Sequence, residues 1–78
     1  MTDAVARELD ARGLLCPLPV LRIIKVFRTL GPGDHLRVRT DDPAAVIDVP
    51  HFCHEHGHTL VSATESPEGA VFVIRKNR

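Results

Sequence analysis

Cys16 stands in Gly13-Leu-Leu-Cys-Pro-Leu-Pro19, directly ahead of a run that reads as a helix. A helix N-terminus offers unpaired amides and the positive end of the helix dipole, so a thiol there is expected to ionise below its ordinary pKa and act as a nucleophile. Pro17 suits the first helical position and Pro19 the first turn, where a missing N–H breaks no intrahelical bond; the two prolines stiffen the turn that presents the sulfur. They also withhold two amide donors, which limits the expected pKa depression. In a Cys-x-x-Cys redox motif a second thiol attacks the first and releases whatever it carries. Here Pro19 occupies that resolving position. A group loaded onto Cys16 has no neighbouring thiol to clear it, which suits holding for transfer. Spacing alone leaves a plainer reading open, in which Cys16 is a small buried apolar side chain before a helix.

Other residues with chemical potential carry less. His51, His54 and His58 fall at steps of three and four, with Cys53 and His56 among them. Gly57 is expected to end the helix before His58, the Cys and His residues point to different sides, and no paired Cys-x-x-Cys is present, so no metal site is expected. Cys53 reads as core beside Phe52. Arg22, Lys25 and Arg28 descend one side of the first helix at three-residue steps and form a candidate partner-binding strip, with a merely solvated face as the alternative. Residues 17–40 hold five basic residues against one acid, Asp34. Such a patch would face an acidic partner. Phe27, Phe52 and Phe72 fall within apolar patterns and read as core. With no Gly-rich phosphate loop, no nucleophile elbow and no Trp or Tyr, neither a nucleotide cofactor nor direct nucleic-acid binding is expected.

These residues must be positioned by a small set of elements. Residues 7–10 form a short strand candidate ending at Gly13. From 17 to 30, Val20, Ile23, Ile24, Phe27 and Leu30 recur at helical steps, and Gly31-Pro-Gly33 stops the helix. Residues 34–40 alternate, Leu36 and Val38 against His35, Arg37 and Arg39, as a half-buried strand does. Asp41-Asp42-Pro43 predicts a second helix with Asp42 as cap and Pro43 first, Pro50 as a kink or restart, and Gly57 as a left-handed cap. Residues 60–65 and 70–75 are extended and joined by Ser66-Pro-Glu-Gly69 in a hairpin. The order βαβαββ, with one apolar stripe on each helix, predicts an α+β two-layer sandwich with both helices on one sheet face.

Whole-chain arithmetic bounds the rest. At 78 residues, 44% hydrophobic and 26% charged, the chain is expected to form a single domain over 1–78, with no second core. Ten Lys and Arg balance ten Asp and Glu, so no global field draws it to nucleic acid or an anionic membrane. No apolar run approaches the roughly 18 residues of a membrane span. Residues 1–10 lack the apolar core of a secretory signal, and two cysteines are too few for a disulfide framework, so a cytoplasmic protein with reduced thiols is expected. Nothing in the pattern demands a dimer; the free protein is expected to be a monomer.

Leu9-Asp-Ala-Arg-Gly-Leu-Leu-Cys-Pro-Leu-Pro19 resembles the signature of the TusA-type, or SirA-like, sulfur carriers, which is a Cys-Pro-x-Pro opening the first helix. Thr40-Asp-Asp-Pro43, Asp48-Val-Pro-His-Phe-Cys53, Gly57-His58 and Ile74-Arg-Lys76 match later blocks of that family in order and spacing. The resemblance implies two helices on one face of a four-stranded mixed sheet. It also implies that Cys16 receives sulfane sulfur as a persulfide from a donor such as a cysteine desulfurase and yields it to an acceptor protein's thiol, with Pro17 and Pro19 supporting the motif. Members with these motifs feed transfer RNA thiolation, molybdenum cofactor assembly or sulfur oxidation. Two other classes stay open: a non-catalytic regulatory module binding a protein or RNA through Arg37 and Arg39, and a thiol oxidoreductase pairing Cys16 with Cys53.

Overall fold

A computed structural model describes residues 5–78, so the first part of the segment read above for a secretory signal lies outside the described residues. The chain runs β1 (Val5–Asp10), α1 (Leu18–Phe27), β2 (His35–Thr40), α2 (Ala45–His56), β3 (Thr59–Ser66) and β4 (Gly69–Arg75). The sheet order is β1-β2-β4-β3, with β1 and β2 parallel and the other neighbours antiparallel. This is the mixed four-stranded sheet that the family resemblance implies, and its element order βαβαββ is the one expected from the sequence. No helix among the described residues is long and apolar enough to cross a membrane.

Alternation drives the layering. In β2 Leu36, Val38 and Thr40 are buried, and in β4 Ala70, Phe72 and Ile74 are buried, the side chains of each strand alternating between its two faces. Ile23 and Phe27 of α1 and Ala45, Val49, Phe52 and Cys53 of α2 join them in one core, which puts both helices on the same face. All three phenylalanines are core residues, as expected from their periodicity. Arg37 and Arg39 project to the uncovered face, where Arg37 reaches Glu8 across the parallel pair at 3.6 Å.

Several boundaries differ from expectation. β1 begins at Val5, and a register shift between Val5 and Arg7 lets its first residue pair with His35. The first helix is shorter than residues 17–30. Pro17 is its cap, and beyond Phe27 the N–H groups of Thr29 and Leu30 bond three residues back, tightening the last turn before Gly31. The second helix starts at Ala45: Pro43 and Ala44 form a preceding turn, in which Asp42 Oδ1 accepts the Ala44 N–H at 3.1 Å. Asp42 thus stabilises the entry to the helix from two residues before its cap, Ala44. Pro50 causes no restart, and α2 continues through it to Gly57, whose φ of 74° is the left-handed cap that its sequence position predicts.

Candidate functional site

Parallel pairing of β1 with β2 brings the carboxyl ends of both strands to one edge of the molecule, so the segments leaving them lie side by side. The segment after β1 carries Cys16 and the one after β2 carries Asp41 and Asp42. Asp41 Oδ1 accepts the Gly13 N–H at 2.9 Å, and Asp42 Oδ2 accepts the Cys16 N–H at 2.6 Å. Gly13 has φ 83°, a left-handed conformation that favours glycine and turns the chain out of β1. Two adjacent carboxylates therefore clamp the cysteine segment, and one of them also orders the start of α2.

The Cys16 side chain is exposed, which removes the reading of it as a buried packing residue. It opens onto a groove of about 300 Å³ between the start of α1 and one face of α2, walled by Pro17, Val20 and Phe52 and rimmed by Asp48, His51 and Glu55. Pro19 turns inward and is buried, whereas Pro17 is exposed beside the thiol. Exposed Leu15, Leu18 and Leu21 add an apolar margin. Arg22, Lys25 and Arg28 are all exposed along α1, and no ion pair holds them among the described residues.

The ionisation of Cys16 departs from expectation. Its thiol pKa is pushed up, chiefly by the neighbouring Asp48 carboxylate, which favours the protonated thiol, then by partial desolvation and by the charges of Asp48 and Asp42. The helix dipole is outweighed for identifiable reasons. The helix begins at Leu18 rather than at the thiol, Pro17 and Pro19 have no N–H, and the Cys16 amide is committed to Asp42. The sequence identifies Asp42 as a stabiliser of the second helix but not its reach to Cys16, and it shows Asp48 only as part of a motif block. The signal that could have found both is the parallel β1–β2 pairing, which makes the two strand-to-helix segments neighbours.

The remaining candidates scatter. Cys53 is 3% exposed and packs in the core, where burial pushes its thiol up to about 11. His51 reaches the groove, while His58 packs against Phe27 and Phe52. Among the described residues no group of three or more His, Cys, Asp or Glu side chains could hold a metal ion.

Residues 7–76 match the family model described as Sulfurtransferase TusA. The crystal structure of a SirA-like protein from Desulfitobacterium hafniense superposes with a TM-score of 0.76 at 26% identity, over 92% of this chain and 99% of that one.

Proposed function

Because the chain belongs to the TusA sulfurtransferase family, whose members carry sulfur between donor and acceptor proteins, we propose that it is a sulfur-relay carrier with Cys16 as its persulfide site. One observation carries the reading: the motif cysteine is the exposed thiol of the molecule and opens onto a groove, while Cys53 is sealed in the core. In uptake, the sulfur of Cys16 attacks the outer sulfur of a donor persulfide, such as that of a cysteine desulfurase, and the donor's own cysteine leaves as a thiol. In delivery an acceptor protein's thiol attacks the outer sulfur on Cys16, and Cys16 is the leaving group. Pro17 and Pro19 fix the turn that presents the sulfur. The burial of Cys53 argues against a resolving role and so against an oxidoreductase. The whole chain acts as one cytoplasmic carrier domain.

Arg22, Lys25 and Arg28 form the docking strip in this reading. Their support is position: they descend the helix that begins two residues after Cys16, and they are exposed and unpaired among the described residues. An acidic surface on the donor or acceptor would meet them.

The test is intact mass spectrometry after incubation of the reduced protein with a cysteine desulfurase and cysteine. Wild type and Cys53→Ser are expected to gain about 32 Da, the mass of one sulfur on the cysteine ladder, and Cys16→Ser none. Uptake by Cys16→Ser equal to wild type would end the proposal.

A further inference from the structure

We propose that Asp48 is the proton relay for sulfur exchange at Cys16, its carboxylate taking the thiol proton as the sulfur bonds to the incoming sulfur and returning it to the departing thiolate. The proposal rests on the carrier reading above and adds a residue to it. Asp48 lies in the first turn of α2, half-buried, and shares the groove with Cys16. Their shared groove follows from the backbone, since the bond from the Cys16 N–H to Asp42 Oδ2 ties the cysteine segment to the connection that leads into α2.

The surroundings offer carboxylate proton acceptors and no Lys or Arg to hold a thiolate. From the cysteine segment and α1 the groove receives only Pro17 and Val20 besides Cys16. From α2 it receives Asp48, His51, Glu55 and His56, and Asp42 adds its charge from the β2–α2 connection. No Lys or Arg lines it, and none of these carboxylates is in an ion pair among the described residues. These carboxylates favour the protonated thiol over the thiolate when the sulfur donor arrives. A carboxylate is too weak a base to deprotonate such a thiol in advance. As the S–S bond forms, however, the attacking sulfur loses electron density and its proton becomes strongly acidic, so transfer to a carboxylate turns downhill. The departing sulfur undergoes the reverse change and becomes basic enough to reclaim it. An acceptor of intermediate basicity serves both halves.

The step balances without any other reagent: R–S–SH + Cys16–SH → R–SH + Cys16–S–SH. The lone pair of the Cys16 sulfur forms the new S–S bond. The donor's S–S bond breaks with its electron pair on the R sulfur, and the proton reaches that sulfur through Asp48.

Glutathione persulfide is the probe, with single-turnover uptake followed by mass spectrometry and thiolate content followed by iodoacetamide alkylation mapped to Cys16. Asp48→Asn removes a negative charge beside the thiol, so alkylation near neutral pH is expected to rise by about threefold or more. Sulfur uptake is expected to fall by about tenfold or more, because the loss of a proton transfer that contributes about 10²–10⁴-fold is partly offset by the larger thiolate fraction. Asp48→Glu is expected to recover part of the loss. In wild type, uptake is expected to decline less steeply than alkylation as pH drops, and in Asp48→Asn the two are expected to run in parallel. Uptake that rises with alkylation in Asp48→Asn overturns the relay, as does loss in His51→Ala with Asp48→Asn unimpaired. Wild-type uptake that tracks the thiolate fraction throughout overturns it even if the variant fails to fold. A wild type that takes no sulfur from any donor brings down the carrier reading itself, a result distinct from a loading wild type with an unimpaired variant.

Discussion

Two thiols of one residue type differ here because their surroundings differ: Cys16 is exposed beside carboxylates, and Cys53 is enclosed by apolar side chains. Position in the fold, rather than residue type, decides which of them a reagent or partner can reach. The same logic applies to Thr40, the last residue of β2 before the two aspartates of the site. Its alternation with Leu36 and Val38 turns the side chain inward, where it is 2% exposed and its hydroxyl oxygen has no hydrogen-bond partner among the described residues. A buried hydroxyl without a partner has lost its water and received nothing in exchange. Thr40→Val keeps the shape and removes the polar atom. It is expected to stabilise the protein by about 1 kcal/mol, measured as a shift in the urea unfolding midpoint at unchanged slope. Destabilisation would mean that the hydroxyl has a partner in solution, with a water molecule the first candidate.

Elements were legible where the information is local and blurred where a distant residue sets the end. The apolar steps from Val20 to Phe27 identify α1, and the alternation of β2 and the turn signals around Pro67 and Gly69 identify three strands of the sheet. The end of α1 was not legible, because the residue that caps it comes from the other end of the chain. Lys76 Nζ donates to the carbonyl oxygens of Phe27, at 2.5 Å, and Leu30, at 2.6 Å, which a helix C-terminus leaves unpaired. Its own backbone brackets the same turn, the Lys76 N–H donating to the Asp34 carbonyl and its carbonyl accepting the Gly33 N–H. The candidate site divides in the same way. Cys16 and its prolines stand in the local sequence, but the carboxylates that set the thiol's ionisation come from 26 residues away for Asp42 and further still for Asp48. Lys76→Met retains the apolar stem and removes the charged donor. It is expected to cost about 2 kcal/mol, as loss of a charge-assisted hydrogen bond does, in urea unfolding, with amide exchange accelerated first over the last turn of α1.

At the scale of the whole molecule the zero net charge conceals a partition. Basic side chains line α1, acidic ones gather where β2 meets α2, and the C-terminal residues close the far end of the helical layer. His58 sits at that closure. Its ring meets Phe27 edge-on at 4.8 Å and lies 5.8 Å from Phe52, so it joins both helices to the segment leading into β3. Its Nδ1 accepts the Asn77 N–H at 3.2 Å, which is possible only while that nitrogen carries no proton. Burial pushes the His58 pKa below its ordinary value, and His56, Lys76 and Arg78 push in the same direction through their charges. The sign for stability follows. Below the ordinary histidine pKa of about 6.5 the unfolded chain binds a proton that the folded chain refuses, so stability falls with pH from there down to the lowered folded value and then levels off. The thermal midpoint is therefore expected to drop between about pH 7.5 and about pH 5.5, a window above most carboxylate titration. His58→Phe keeps an aromatic ring at the junction and cannot be protonated. It gives up the Asn77 bond, so its midpoint at the higher pH is expected to be lower than that of wild type, and its drop across the window is expected to be smaller. A variant whose midpoint falls as steeply as that of wild type would move the origin of the pH dependence away from this junction.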